Sequence, residues 1–273
     1  MTKWYMSLLN GKKLLSLIVS PKTYTEISNW PLFFADHLGL VQDEYTLLFR
    51  NHLKLILRAN HKVKWPIQEV FLKDDYRLIS LRKHPPTTII DLGACIGMFS
   101  LFAKALFPNA QVYAYEPLAE YFLGLQRNIN LNNFRDSIFP FPLACYSPEA
   151  IRQLKKGRIR QFSKLKGPKC VYAFKQAISL SDILEQNKIR VCDLLKIDVE
   201  GAEYDILYSL PPKQYKHIRR IHLEYHNMNP ETDLNGSSLK LFLEKNHFNV
   251  IHTNLPFQPT GMIYATNQVA SAL

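Results

Sequence analysis

Residues Thr88–Phe107 read TIIDLGACIGMFSLFAKALF. A β-branched apolar run ends in Asp91, the chain passes Gly93 and Gly97, and an apolar helical pattern follows as far as Pro108. Such a run predicts a strand covered on both faces, then a tight turn, then a helix. Glycine is scarce, ten in 273 residues, so two of them four apart mark a place where side chains are unwelcome. Gly93 lets the backbone turn without a Cβ. Gly97 removes bulk where a ligand would pass close to the helix start. The same spacing also suits a strand-to-helix turn that binds nothing.

The beat continues outward from this stretch. QVYAYE is a second strand, and Pro117 suits the first turn of the helix LAEYFLGLQRNINLNN. SIFPFPLACY, with two prolines, makes a poor, short strand. YAFKQAISL is extended, SLSDILEQN is a helix capped by Ser179 or Ser181, and VCDLLKIDVE is another buried strand. GAEYDILYSL is a helix stopped by Pro211-Pro212, and IRRIHLEYH a strand. SSLKLFLEKN is a helix, and FNVIHTN and GMIYATN are a closing pair of strands. Strands alternating with helices predict an α/β fold with a doubly wound, mostly parallel sheet. Residues 81–273 form that domain. Residues 1–80 form an attachment of helices and a hairpin, YTLLFR and LKLILR across Asn51-His52, which covers the cleft. Trp65 and Tyr76 are expected to pack rather than touch substrate.

Composition narrows the partners. The hydrophobic share of 47% belongs to a globular chain. The net charge is +11, but eight cations fall between Arg152 and Lys169, and the remainder carries only +3. The basicity is therefore an insert at about 150–176, not a nucleic-acid-coating surface. Cys95, Cys145, Cys170 and Cys192 show no metal-ligand spacing and read as buried thiols. KKLLSLIVSP is too short for a secretory apolar run, and no stretch approaches the ~20 apolar residues of a membrane span. A cytoplasmic protein is expected; the oligomeric state is not readable.

Glu116 ends the second strand 23 residues after Gly93. An acidic residue at about that distance accepts ribose hydroxyls in nucleotide-binding sheets. A dinucleotide needs glycine against its pyrophosphate, and Asp91 stands in that place. A carboxylate repels pyrophosphate but attracts the cationic amino acid end of S-adenosylmethionine. That cofactor is expected rather than NAD.

TIIDLGACIGMFSLFAK, VYAYEP and especially LLKIDVEGAEYDIL resemble the FkbM family of class I S-adenosylmethionine-dependent methyltransferases. The resemblance runs from Ile89 to about Tyr225, with weaker agreement in FRNHLKLILR. It implies a seven-stranded sheet with helices on both faces and methyl transfer, usually to oxygen. It also implies that Asp91, Gly93, Ala94 and Gly97 cradle the methionine part, that Glu116 holds the ribose, and that Pro117 and Leu118 flank the adenine. Ala144 matches the small residue near the adenine, although Cys145-Tyr146-Ser147-Pro148 departs from the family pattern.

Methyl transfer to a hydroxyl needs an in-line approach and a group to take the proton. Asp198 and Glu200 end the fourth strand of the main domain; Glu224 and His226 end the fifth, on one strand face. These four are the candidate catalytic group. Glu200 with Gly201 could instead cap the next helix, Glu203 reads as a solvated helix residue, and Glu224 could pair with Arg219, Arg220 or a lysine of the N-terminal attachment. His222 and His226 can each be plain strand-end histidines. Asp198, Glu224 and His226 could hold a divalent metal, but no spacing in the sequence establishes one. The basic insert is either a clamp for an anionic acceptor, aided by Phe162, Tyr172 and Phe174, or a solvated hairpin. The expected partner is a small-molecule or glycan acceptor. The competing readings are an RNA methyltransferase, an NAD-linked dehydrogenase and a catalytically silent partner subunit.

Overall fold

The computed structural model describes residues 21–59, 65–156, 176–227, 234–254 and 260–269. The described chain begins with α1 (Pro21–Glu26), α2 (Trp30–His37) and a hairpin of β1 (Glu44–Leu48) and β2 (Lys54–Arg58). Tyr45, Leu47, Leu55 and Leu57 point inward at every second position, as strand geometry requires. The hairpin tip is longer than the two-residue turn predicted at Asn51-His52. Phe49 N–H donates to the Leu53 carbonyl, His52 N–H to that of Phe49, and His52 takes φ +71°. A three-residue loop closed by a left-handed residue matches the strand twist better than an ordinary tight turn.

A strap follows: a helical turn Trp65–Ile67, a π-helix Gln68–Lys73 and a 3₁₀ turn Ile79–Lys83. Then come β3 (Thr88–Leu92), α3 (Met98–Leu106), β4 (Gln111–Tyr115), α4 (Ala119–Leu131) and β5 (Ile138–Phe141). β6 (Ala144–Cys145), α5 (Pro148–Lys155), β7 (Ala177–Ile178) and α6 (Leu180–Gln186) lead to β8 (Leu194–Ile197) and α7 (Glu203–Ser209). β9 (Arg220–His226), α8 (Gly236–Lys245), β10 (Phe248–Asn254) and β11 (Thr260–Asn267) are the last elements among the described residues.

The main sheet has seven strands in the order β10-β11-β9-β8-β3-β4-β5. It is parallel except for β11, which runs against both neighbours. This is the doubly wound, mostly parallel α/β sheet the sequence predicts. SIFPFPLACY divides in two. Pro140 sits in β5 at the sheet edge, where a missing N–H is tolerated, while Ala144-Cys145 pairs with β7. Ser179, not Ser181, caps α6, in a reciprocal box with Asp182. The part of the basic insert from 157 to 175, with Cys170, Phe162, Tyr172 and Phe174, lies outside the described residues.

Successive residues of β3 feed opposite faces. Ile89 joins a core with Ile27, Leu47, Leu55, Phe71, Phe102 and Leu125; Ile90 joins one with Ile183, Leu195, Leu223 and Leu243. The attachment therefore shares one core with the sheet. Each of these side chains contributes about 1.5–3 kcal/mol on full burial. The hairpin seats on α4. Asn128 Oδ1 accepts from Ile56 N–H at 2.7 Å while its Nδ2 donates to the Ile96 carbonyl, and Asn132 brackets Lys54 in the same way. From the strap, Tyr76 reaches His222 of β9 through its carbonyl and Asp198, just after β8, through its hydroxyl. Among the described residues no helix is long and apolar enough to cross a membrane.

Candidate active site

In a doubly wound sheet, ligands meet the carboxyl ends of strands where chain direction divides. Here that place is the end of β3, between β8 and β4. The turn leaving β3 is strongly left-handed, with φ +78° at Gly93, +50° at Cys95 and +96° at Gly97. Gly93 and Ala94 both donate their N–H to the Tyr115 carbonyl at 3.0 Å. What crowds the two glycines is the protein itself. A Cβ on Gly93 would lie 1.8 Å from the Asp198 carbonyl oxygen, and one on Gly97 would lie 2.7 Å from Leu125 Cδ1. The absent side chain of Gly97 makes room for Leu125 of α4.

Glu116 closes the turn from β4. Its Oε2 accepts from Cys95 N–H and its Oε1 from Leu118 N–H, both at 2.8 Å. Burial pushes its pKa up to about 7, against the pull of those two N–H groups and of Lys196. Each oxygen keeps a lone pair, so vicinal hydroxyls can still be accepted. Pro117 and Leu118 are half-buried where α4 begins, and Ala144 is buried in β6.

Asp91 is turned inward. It is fully buried, accepts from Ser100 Oγ at 2.6 Å, and lies 3.1 Å from Lys196 Nζ. Lys196, also buried, donates to the Leu92 and Gly93 carbonyls at 3.3 and 2.8 Å and stands 3.9 Å from Asp198. Burial alone would lower the ammonium's pKa; the Asp91 and Asp198 charges outweigh it and hold it above the usual range. Lys196 thus staples the β3 turn to two carboxylates. Sequence reasoning missed it, although a lysine inside the apolar run VCDLLKID was the signal.

The four predicted catalytic residues come together at the ends of β8 and β9. His226 Nε2 lies 3.5 Å from Glu200 Oε2, and one ligand atom each from Asp198, Glu200 and His226 lies within 4.8 Å of the others. Tyr76 donates its hydroxyl to Asp198 Oδ2 at 3.0 Å, so this buried residue packs and also reaches the site. Glu203 is not solvated: it is fully buried, and Oε1 takes both Gly201 N–H and His226 Nδ1 at 3.0 Å. The first turn of α7 aims it at β9, which helix periodicity cannot reveal. Glu200 does not cap α7, whose N-cap is Ala202; it is exposed, at φ +55°, before Gly201 at +109°. A non-glycine residue held there costs of order 1 kcal/mol.

Charges crowd this corner. Burial first, then Asp198 and Glu69, pushes Glu224 up to about 8. Burial lowers His226, but the bond to Glu203 and the Asp198 and Glu200 charges win, and its pKa rises to about 10. Of the arginines expected to pair with Glu224, Arg219 pairs instead with Asp193 at the opposite end of β8, and Arg220 feels the same Asp193 charge. His222 is buried against the strap, its Nδ1 2.6 Å from the Tyr76 carbonyl, and burial holds its pKa down at about 4.

The sequence model of the Methyltransferase FkbM domain matches residues 91–251. Methyltransferase sdnD of Sordaria araneosa is 27% identical over 189 residues, spanning 58% of this chain and 72% of its own. The 31-O-demethyl-FK506 methyltransferase FkbM of Streptomyces tacrolimicus is 25% identical over 191 residues, spanning 59% and 74%. Among solved structures, the N-terminal domain of human METTL16 in complex with SAH overlays with a TM-score of 0.44 at 15% identity, covering 72% of this chain and 69% of that one. The domain match begins at Asp91, the buried acid of β3, ends in β10, and takes in more than half of the sequence, so the chain belongs to the FkbM methyltransferase domain family.

Proposed function

We propose that the protein transfers the methyl group of S-adenosylmethionine to a hydroxyl oxygen on a sugar, a glycan or another small molecule. One observation carries the reading. Asp198, Glu200, Glu224 and His226 gather beside the left-handed turn of β3, where Gly93 lies against the Asp198 backbone and Glu116 holds the Cys95 N–H. An oxygen acceptor is favoured by a relative named for a 31-O-demethyl compound.

The residues present suit that cofactor. A buried carboxylate with free lone pairs ends β4, which is the chemistry that ribose hydroxyls need. Gly93, Ala94 and Gly97 form the turn for the methionine part. Pro117, Leu118 and Ala144 offer the half-buried and buried surface for the adenine. Asp91 acts at one remove, fixing Lys196, which in turn fixes the Leu92 and Gly93 carbonyls. When bound, the cofactor supplies an electrophilic methyl group on a sulfonium.

The rest falls to the protein. Holding the acceptor in line accounts for much of the rate. The acceptor oxygen forms the new O–CH₃ bond as the C–S bond breaks, and its proton passes to the carboxylate of Asp198 or Glu224. Tyr76 fixes the Asp198 carboxylate, and Glu203 fixes the ring of His226. The basic stretch beginning at Arg152 suits an anionic acceptor; Arg152 itself is engaged with Glu149.

The test combines calorimetry with label transfer. The protein is titrated with S-adenosylmethionine and then incubated with methyl-labelled cofactor and panels of sugars, hydroxylated small molecules and RNA. Saturable cofactor binding that Glu116→Ala weakens at least tenfold, with label on an acceptor oxygen, is expected. Absence of cofactor binding, or label on RNA or on nitrogen alone, overturns the reading.

A further inference from the structure

We propose that Asp198, Glu200 and His226 form a binding site for one divalent cation of the magnesium or manganese type. The two carboxylates follow β8 and the imidazole ends β9, so the sheet itself brings them to one corner. Their ligand atoms lie within 4.8 Å of one another. An ion bound at about 2.1 Å sets neighbouring ligands roughly 3 Å apart, so only a small closure is needed. Glu200, whose side chain is 83% exposed, can supply it.

Two further observations point to an ion rather than to a chance meeting of polar groups. The first is the tether on His226. Nδ1 is committed to Glu203, a fully buried acid also held by Gly201 N–H, which leaves Nε2 facing Asp198 and Glu200. A carboxylate behind a histidine, with the far nitrogen free, is the arrangement that orients metal-bound imidazoles. The second is charge. Asp198 and Glu200 meet in one corner, and the two cations within reach, His226 and Lys196, are already tied to the buried acids Glu203 and Asp91. A cluster with that imbalance favours a cation.

Two carboxylate oxygens and one imidazole suit manganese or magnesium, and imidazole alone does not force a softer metal. Three protein ligands leave positions open for the hydroxyl oxygens of an acceptor, whose acidity the ion would raise. The sequence suggested Glu224 as the third ligand; the geometry points to Glu200. The role of the ion rests on the methyltransferase reading, whereas its binding does not.

The test is Mn²⁺ uptake by the full chain, followed by electron paramagnetic resonance, in which free Mn²⁺ gives the signal and bound Mn²⁺ loses it. Wild-type protein is expected to take up one ion per chain. Asp198→Asn and His226→Gln should weaken uptake at least tenfold, and Glu203→Gln, which only removes the tether, about tenfold. Glu120→Gln, remote on α4, should change nothing. Circular dichroism checks folding, and Glu200→Gln, altering an exposed side chain, stands in if a buried variant fails to fold. No uptake at millimolar Mn²⁺, or uptake indifferent to all of these changes, overturns the site. Calorimetry with S-adenosylmethionine on the same samples separates the two failures: cofactor binding without Mn²⁺ uptake ends the ion proposal and leaves methyl transfer standing.

Discussion

Asp193 and Asp198 flank the four residues of β8 and meet opposite conditions. Asp193 Oδ2 accepts from Thr87 N–H, Thr87 Oγ1 and Thr88 N–H, and Oδ1 from Arg219 at 2.6 Å. Burial pushes its pKa up, yet those donors more than cancel it and leave the group below the usual range. Asp198, at the other end, has the Tyr76 hydroxyl, a lysine at 3.9 Å shared with Asp91, and two more acids beside it. One acid comes with its donors and ties β3, β8 and β9 together. The other stands where more donors are wanted than the fold provides. An acid that serves the fold is saturated by it; an acid that serves a ligand is left short.

Lys196 links the two conditions, and removing it gives the largest expected effect. Lys196→Met leaves Asp91 charged and buried with Ser100 as its remaining donor, at a cost of about 3–5 kcal/mol in urea unfolding. Adding Asp91→Asn should recover most of that loss. A cost below about 1 kcal/mol would mean that Lys196 does not balance the charge.

The aspartates themselves come next. Asp198→Asn should lower kcat/KM a hundredfold or more, since it removes a candidate proton acceptor, while changing stability by less than about 1 kcal/mol. Asp193→Asn should do the reverse: about 2–3 kcal/mol of stability lost, with cofactor affinity unchanged where the protein remains folded. If both variants lose activity and stability alike, the division between the two ends of β8 is wrong.

That division was half legible in the sequence. Continuous apolar runs such as TIIDL and DLLKI announce strands covered on both faces, and prolines 108 and 211 punctuate the helices, so the sheet could be read. Asp91, Glu116, Asp198 and His226 were visible because acids and histidines at strand ends are conspicuous. Their partners were not. Glu203 and Lys196 look like a helix acid and a stray strand lysine until packing turns one toward β9 and the other toward β3. Which of Glu200 and Glu224 faces His226 depends on a left-handed loop, not on any period in the chain.

Glu116 offers a pH-dependent test of the same contrast, at the β4 end. Its pKa rises from an ordinary 4.5 to about 7 because burial disfavours the charge. Below pH 4.5 the acid is neutral in both folded and unfolded chains. Between 4.5 and about 7 mainly the unfolded chain releases the proton, so stability falls as pH rises through that window. Glu116→Gln removes this slope. Relative to wild type, the variant should gain roughly 2–3 kcal/mol between pH 4.5 and 7.5, whatever its offset at the start. Equal slopes in denaturant unfolding at the two pH values would show that Glu116 is not strained by its burial. The same variant should bind S-adenosylmethionine more weakly, because the amide cannot accept through both atoms.

Tyr76 gives the smallest and most discriminating effect. Its ring is buried edge-on to Phe99, at 5.3 Å between centroids, and Tyr76→Phe keeps that packing while deleting the hydrogen bond to Asp198. Asp198 is partly exposed and can take water instead, so the stability loss should be about 1 kcal/mol or less. Tyr264→Phe is the matched control: it deletes a hydroxyl bond to the Asp75 carbonyl, in the same strap but away from the acids. The two variants should lose similar stability, while only Tyr76→Phe lowers kcat, by several-fold, through a less firmly held Asp198. If kcat is untouched in both, Tyr76 is a packing residue, as the sequence suggested, and Asp198 is held by something other than the strap.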